Sequence, residues 1–195
     1  MDLPIDVAGR GLSDYARVVD AAMPDNTVLV GHSLGAAVIP LVADGRAVRR
    51  MVFLCPVLRR PGRSLAEQAE LDADVTTWDL GTGRDFFDDE SSAWQPEAAI
   101  AVFFHDCDAD TARWAASRLR RQYWAYWEEP NPLTAWPDGP EYQAIICRDD
   151  RLVGLQWARR TLPEELGVTP VELPGGHSPF LSRPSELADA LVAGL

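Results

Sequence analysis

A serine set between two glycines, Gly31-His32-Ser33-Leu34-Gly35, follows directly on the apolar run Val28-Leu29-Val30. That order reads as a strand running into a sharp turn that presents the serine. A free hydroxyl is a weak nucleophile at neutral pH and needs a base to take its proton. A helix after the turn would aim its first N–H groups at the serine, where negative charge develops during acyl transfer. The Leu34 N–H, directly after the nucleophile, is the candidate oxyanion donor. The flanking glycines are expected because a tight backbone leaves no room there for side chains.

Three histidines could supply the base. His32 lies in the turn itself, and its side chain should point away from Ser33. His105 lies in the middle of the chain, where a surface or capping role fits it. His177 follows the last short apolar run in a Gly175-Gly176-His177 turn, ahead of the final helical pattern. His177 is the candidate base. A carboxylate must then orient the imidazole and stabilise the imidazolium. The segment Cys147-Arg148-Asp149-Asp150-Arg151 offers two. Either aspartate could serve, and Asp150 is favoured.

The elements that would position these groups alternate. Tyr15, Val18, Val19, Ala22 and Met23 mark one face of a helix over 13–23, stopped by Pro24. Thr27 to Val30 reads as a buried strand and 34–43 as a helix that Pro40 should bend. Met51 to Cys55 is a second strand, ended by Pro56. Tyr142 to Cys147 is a third, 154–162 a helix, Val171 to Leu173 a short strand, and Pro184 to Ala193 a closing helix. Strand–helix alternation implies an α/β fold, a parallel sheet with helices on both faces.

Residues 61–137 differ in texture. They show no strong strand, hold six of the seven tryptophans, and end in a run of prolines at 130, 132, 137 and 140. A helix is expected over 110–127 with Asp110 as its N-cap, carrying Arg118, Arg120 and Arg121 on a solvated face. The block reads as a helical, Trp-rich cap inserted between core segments 1–60 and 138–195. The pocket candidates are His32, Phe103, Phe104, Trp124 and Trp127; most other tryptophans should pack the insertion onto the core.

A formal charge of −12 argues against nucleic acid or an anionic membrane as partner. No apolar stretch approaches the roughly 20 residues of a membrane span, and the first residues lack the features of a signal peptide. Cys55, Cys107 and Cys147 are odd in number and widely spaced. They read as free thiols, with no metal site, in a reducing compartment; a cytoplasmic, cofactor-free protein is expected.

Ile145 to Val153, Leu166-Gly167-Val168-Thr169 and Gly175-Gly176-His177, together with the serine turn, resemble the α/β-hydrolase superfamily. Within it the chain resembles the methylesterase and hydroxynitrile lyase group and its small bacterial esterase relatives. The resemblance implies the α/β-hydrolase fold, with the His177 loop above Ser33. It implies Asp150 as the acid, three residues after a cysteine that ends a strand. It also implies cleavage of a small ester by Ser33, His177 and Asp150. Lyases of the group carry a lysine after the histidine, where this chain has Ser178, which favours ester hydrolysis. Asp2-Leu3-Pro4 resembles the end of the strand before the serine strand. On that alignment the first strands and the loop giving a second oxyanion N–H would precede Met1, so an N-terminally truncated fold is expected. Thr27–Val30 would then be an exposed apolar edge, open to association with a second copy. An inert hydrolase-fold fragment is the competing expectation.

Overall fold

The computed structural model describes residues 2–193. Helix α1 (Leu12–Ala22) forms where its apolar stripe demands and stops before Pro24. Its first N–H groups are capped from far along the chain: the Glu129 carboxylate accepts from the Leu12 N–H at 2.5 Å and the Ser13 N–H at 3.1 Å. Strand β1 (Thr27–His32) leads into a 3-10 turn over Ser33–Ala37, then helix α2 (Ile39–Ala43). The expected single helix over 34–43 is therefore two pieces. Pro40 lies in the first turn of α2, where its missing N–H costs nothing, so it starts a helix and bends none.

Strand β2 (Val48–Leu54) is followed by helix α3 (Leu65–Leu71), which a capping box of Ser64 and Glu67 begins. Next come strands β3 (Arg84–Phe87) and β4 (Ser91–Trp94) and helices α4 (Pro96–Phe103) and α5 (Ala109–Ala116). Strand β5 (Gln122–Tyr123) and helix α6 (Ala125–Glu128) complete the middle of the chain. Strand β6 (Glu141–Cys147), helix α7 (Leu155–Leu166), strand β7 (Val171–Leu173) and helices α8 (Pro179–Ser182) and α9 (Pro184–Val192) close it.

Four strands pair in parallel in the order β1-β2-β6-β7. Period-2 alternation sorts their side chains onto two faces. Met51, Phe53, Ala144 and Ile146 join the larger core with Tyr15, Val42 and Trp157 from α1, α2 and α7. Val52, Leu54, Ile145 and Cys147 join the smaller core with Leu187 and Ala190 from α9. Both faces are thus covered by helices, as a parallel sheet requires. Strand β1 lies at one end of this sheet, and Val30 on it is exposed.

The middle of the chain corrects two expectations. It is not wholly helical, because β3, β4 and β5 form an antiparallel sheet of their own. These strands are four residues or fewer, and Phe86 and Phe87 are exposed, so no inward alternation marks them. Asp89 ties them together, accepting from Ser91 Oγ at 2.6 Å, Arg121 at 2.6 Å and the Tyr123 hydroxyl at 3.2 Å. The helix expected over 110–127 ends at Ala116, so the arginines beyond it share no helix face. Arg120 instead pairs with Asp2 and Asp6 near the start of the chain. Among the described residues no helix is long and apolar enough to cross a membrane.

Asp108, and not Asp110, caps α5, accepting from the N–H groups of Asp110 at 3.1 Å and Thr111 at 3.0 Å. Asp108→Ala is expected to lower the urea midpoint and Asp110→Ala to lower it much less. Equal losses would contradict this cap.

Candidate active site

Ser33 stands at the carboxyl end of β1 with φ of 53°, in the left-handed region that a side chain adopts at a cost of about 1–3 kcal/mol. The turn that imposes it is tight on one side only. A Cβ at Gly31 would lie 2.6 Å from the Gly35 carbonyl oxygen and 2.8 Å from Ala36 Cα, whereas a Cβ at Gly35 would meet nothing within 4 Å. Glycine is therefore required by contact at Gly31 alone. The Leu34 N–H belongs to the first turn of the 3-10 segment, whose leading N–H groups have no partner inside it. Val57 also holds this turn, its N–H donating to the Ser33 carbonyl at 3.1 Å.

His177 follows β7 and is buried, as is Asp150 after β6. The imidazole Nδ1 lies 2.8 Å from Asp150 Oδ2. The other carboxylate oxygen accepts from the N–H groups of Leu152 at 2.8 Å and Val153 at 3.0 Å. Burial pushes the Asp150 carboxyl up, but His177 and the two backbone N–H groups outweigh it and hold it below its usual value. An ionised carboxylate only accepts, so Nδ1 must carry the proton that joins the pair. Nε2 is then the nitrogen that can accept a proton in the neutral imidazole. It is buried and has no hydrogen-bond partner among the described residues, so no hydrogen bond joins it to Ser33.

Asp149, the other aspartate weighed, does a different task. Its carboxylate accepts from the Gly175 N–H at 3.0 Å, and its own N–H donates to the Gly175 carbonyl at 3.0 Å. Two residues that the sequence reading left out of the site brace the same loops. Asp106 accepts from the Gly176 N–H at 2.8 Å, and the His105 imidazole reaches the Asp149 carbonyl at 3.0 Å. A Cβ at Gly176 would lie 2.6 Å from His105 Nε2, which explains glycine there. The Gly-Gly pair before His177 was the available signal that something packs against that turn.

His32 is not among the residues that line the cavity beside Ser33. Its Nε2 lies 2.8 Å from the His177 carbonyl, and its ring packs against His177 and Phe180. Burial and the neighbouring His177 push the imidazole down to about 3. It is therefore neutral, with Nε2 donating.

Ser33 lines a cavity of about 170 Å³. Phe103 and Trp127 line it as the sequence reading expected, along with Leu80, Trp94 and Arg84. Phe103 also packs 5.5 Å from the His177 ring, so one ring of the cavity wall touches the imidazole. Phe104 and Trp124 do not line it. Phe104 is buried among the alanines of α5, and Trp124 stacks behind Arg84. Cys55, Asp150 and His177 bring three metal-ligand types within 4.8 Å of one another. A hydrogen bond with Cys147, together with burial, holds the Cys55 thiol well above its ordinary value, so it is a protonated packing group and a poor metal ligand.

Gly31→Ala should destabilise the protein by about 1–3 kcal/mol through overpacking, and Gly35→Ala should change stability by less than about 0.5 kcal/mol. Urea midpoints of the two variants test this, and equal effects would contradict the one-sided turn. His32 is held neutral in the folded state but takes up a proton near pH 6.5 when unfolded. Its contribution is fully present above that pH and is lost as pH falls toward 3, at up to about 1.4 kcal/mol per unit. His32→Gln should flatten the stability profile between pH 6.5 and 4; an unchanged slope would show that His32 is not the group responsible.

The family profile described as "Alpha/beta hydrolase family" matches residues 2–190. The chain is 27% identical over 170 residues to the alpha/beta hydrolase nvfD of Aspergillus novofumigatus, a match covering 82% of this chain and 66% of that protein. The chain thus spans slightly under two thirds of that relative's length. Polyneuridine aldehyde esterase superposes with a TM-score of 0.77 at 18% identity, covering 94% of this chain and 79% of its own. A pyrethroid hydrolase from Sphingobium faniae JZ-2 superposes at 0.73 and 21% identity, covering 98% and 83%. A methylesterase from Arabidopsis superposes at 0.69 and 17% identity, covering 94% and 77%. With a family match running over nearly its whole length, and a parallel sheet whose strand ends carry Ser33, Asp150 and His177, this chain belongs to the alpha/beta hydrolase family.

Proposed function

We propose that this protein is a cofactor-independent serine hydrolase that cleaves a small carboxylic ester through an acyl-enzyme. The observation that carries the reading is the His177 imidazole, its Nδ1 held by Asp150, its Nε2 without a partner, and its ring packed on Phe103 of the cavity that Ser33 lines. A base whose other nitrogen is fixed by an ionised, buried carboxylate has one task open to it, taking a proton on the free side.

In this reading Ser33 Oγ attacks the ester carbonyl and its proton passes to His177 Nε2. The Leu34 N–H donates to the oxyanion. The C–O bond to the alcohol then breaks, and the alcohol leaves with the proton from Nε2. Water attacks the acyl-enzyme with His177 again as base, and the acid departs as Ser33 recovers its proton. Asp150 keeps Nδ1 protonated throughout and stabilises the imidazolium. A hydrogen bond between Ser33 and Nε2 is absent from the resting geometry, and such bonds commonly tighten only with substrate bound. Support also comes from the structural neighbours above, two of which are esterases and one a pyrethroid hydrolase.

The test is turnover of 4-nitrophenyl butyrate by folded, monodisperse protein. Ser33→Ala and Asp150→Asn should each lower kcat by about 10⁴-fold or more, with far-UV circular dichroism unchanged. Wild-type turnover that survives Ser33→Ala would contradict the proposal, as would no turnover of any activated ester by the folded protein.

A further inference from the structure

The cavity beside Ser33 is lined by apolar side chains, by neutral polar ones such as Gln68, Gln122 and Tyr126, and by one cation. Arg84, the first residue of β3, lines it. Its guanidinium carbon lies 4.2 Å from the centroid of the Trp94 ring and 4.9 Å from that of Trp124. Two aromatic faces thus replace water around the charge. Among the described residues Arg84 makes no ion pair with a carboxylate, and its Nε is buried without a hydrogen-bond partner. Burial draws its pKa down, opposed by the Tyr126 phenol and by no acidic side chain.

This isolation does not come from a shortage of acids. The chain holds 30 acidic against 18 basic residues. Arg60, Arg121, Arg159 and Arg160 each hold a carboxylate. Asp85, next to Arg84, faces the other side of β3 by strand alternation and accepts from Gln95 at 2.8 Å. A charge largely removed from water and left without a counter-charge is costly, so Arg84 would gain from a carboxylate that entered the cavity. The Tyr126 phenol accepts one of its hydrogen bonds, and no carboxylate among the described residues takes the others, Nε included.

Its position says which part of a ligand it meets. Phe103 packs 5.5 Å from the His177 ring and 4.8 Å from Trp94, and Trp94 in turn packs on Arg84. Two rings therefore separate the imidazole from the guanidinium along one wall of the cavity. A planar guanidinium matches a planar carboxylate, with two parallel N–H donors for two oxygens. We propose that Arg84 binds a free carboxylate at the end of the substrate remote from the scissile ester, so that the substrate class is the half-ester of a dicarboxylic acid. This deepens the hydrolase reading and rests on it for the word substrate, though not for the anion site. The net charge of −12 repels an anion at long range, so the discrimination is made at contact inside the cavity.

Two measurements separate the site from the reaction. In the first, hexanoate and its neutral isostere hexanamide are titrated against tryptophan fluorescence, which Trp94 and Trp124 should report. Wild type should bind hexanoate more tightly than hexanamide by about tenfold or more, and Arg84→Met should lose that difference. In the second, kcat/KM is compared for monoethyl adipate and ethyl hexanoate, which differ by a carboxylate in place of a methyl group. Wild type should favour the half-ester by about ten- to hundredfold, a ratio that Arg84→Met brings near one and Arg84→Lys keeps in part. Reading ratios within each variant makes the outcome independent of any general loss of activity. Equal binding of hexanoate and hexanamide by wild type, or an unchanged ester ratio in Arg84→Met, overturns the proposal. Arg84-dependent binding of hexanoate by a protein that hydrolyses neither ester upholds the anion site and overturns the hydrolase reading alone.

Discussion

The geometry of the site hangs on one buried charge. An ionised carboxylate removed from water must be surrounded by donors. Asp150 has three, the His177 Nδ1 proton and the N–H groups of Leu152 and Val153. Those donors come from two loops at the carboxyl ends of β6 and β7. Satisfying the charge therefore fixes the separation of the loops, the imidazole's orientation and its tautomer together. Asp149, Asp106, His105 and the neutral His32 then hold the same loops through backbone contacts. The bracing is dense where the imidazole must not rotate.

The serine side is built on a different principle, local strain held by close packing. Ser33 keeps a left-handed backbone because β1, paired with β2, runs straight into a turn whose far side touches Gly31. Cys55, at the end of the adjacent strand β2, also takes a positive φ of 42°, and its N–H donates to the Ile145 carbonyl at 2.8 Å. Strand ends with unusual backbone thus lie side by side on the edge of the sheet that faces the cavity. Arg84 and Trp94 of the small antiparallel sheet line the same cavity.

What could be read from the chain alone divides along the same line. The parallel strands were legible because their apolar runs are short, continuous and bounded by turn residues, and Val171 to Leu173 matches to the residue. The turns that carry Ser33 and His177 were legible because their backbones leave local marks, a serine between glycines and a histidine after a glycine pair. The middle of the chain was not legible, because β3 to β5 are held by long-range hydrogen bonds to Asp89 and not by a periodic pattern. For the same reason Asp106 and Arg84 escaped notice. Each owes its importance to what lies opposite it, and no neighbour in sequence announces that. Gly35 shows the converse: a residue that fits a motif without any contact in the fold that demands it.

The central claim is that Ser33 is a nucleophile activated by an imidazole whose other nitrogen is fixed by Asp150. The most direct measurement is intact-protein mass spectrometry after exposure to a fluorophosphonate, with peptide mapping of the adduct. The account predicts a single phosphonyl adduct on Ser33 in folded wild type, formed far more slowly in Asp150→Asn and absent in Ser33→Ala. A folded protein that gains no adduct, or gains one on another residue, would contradict it.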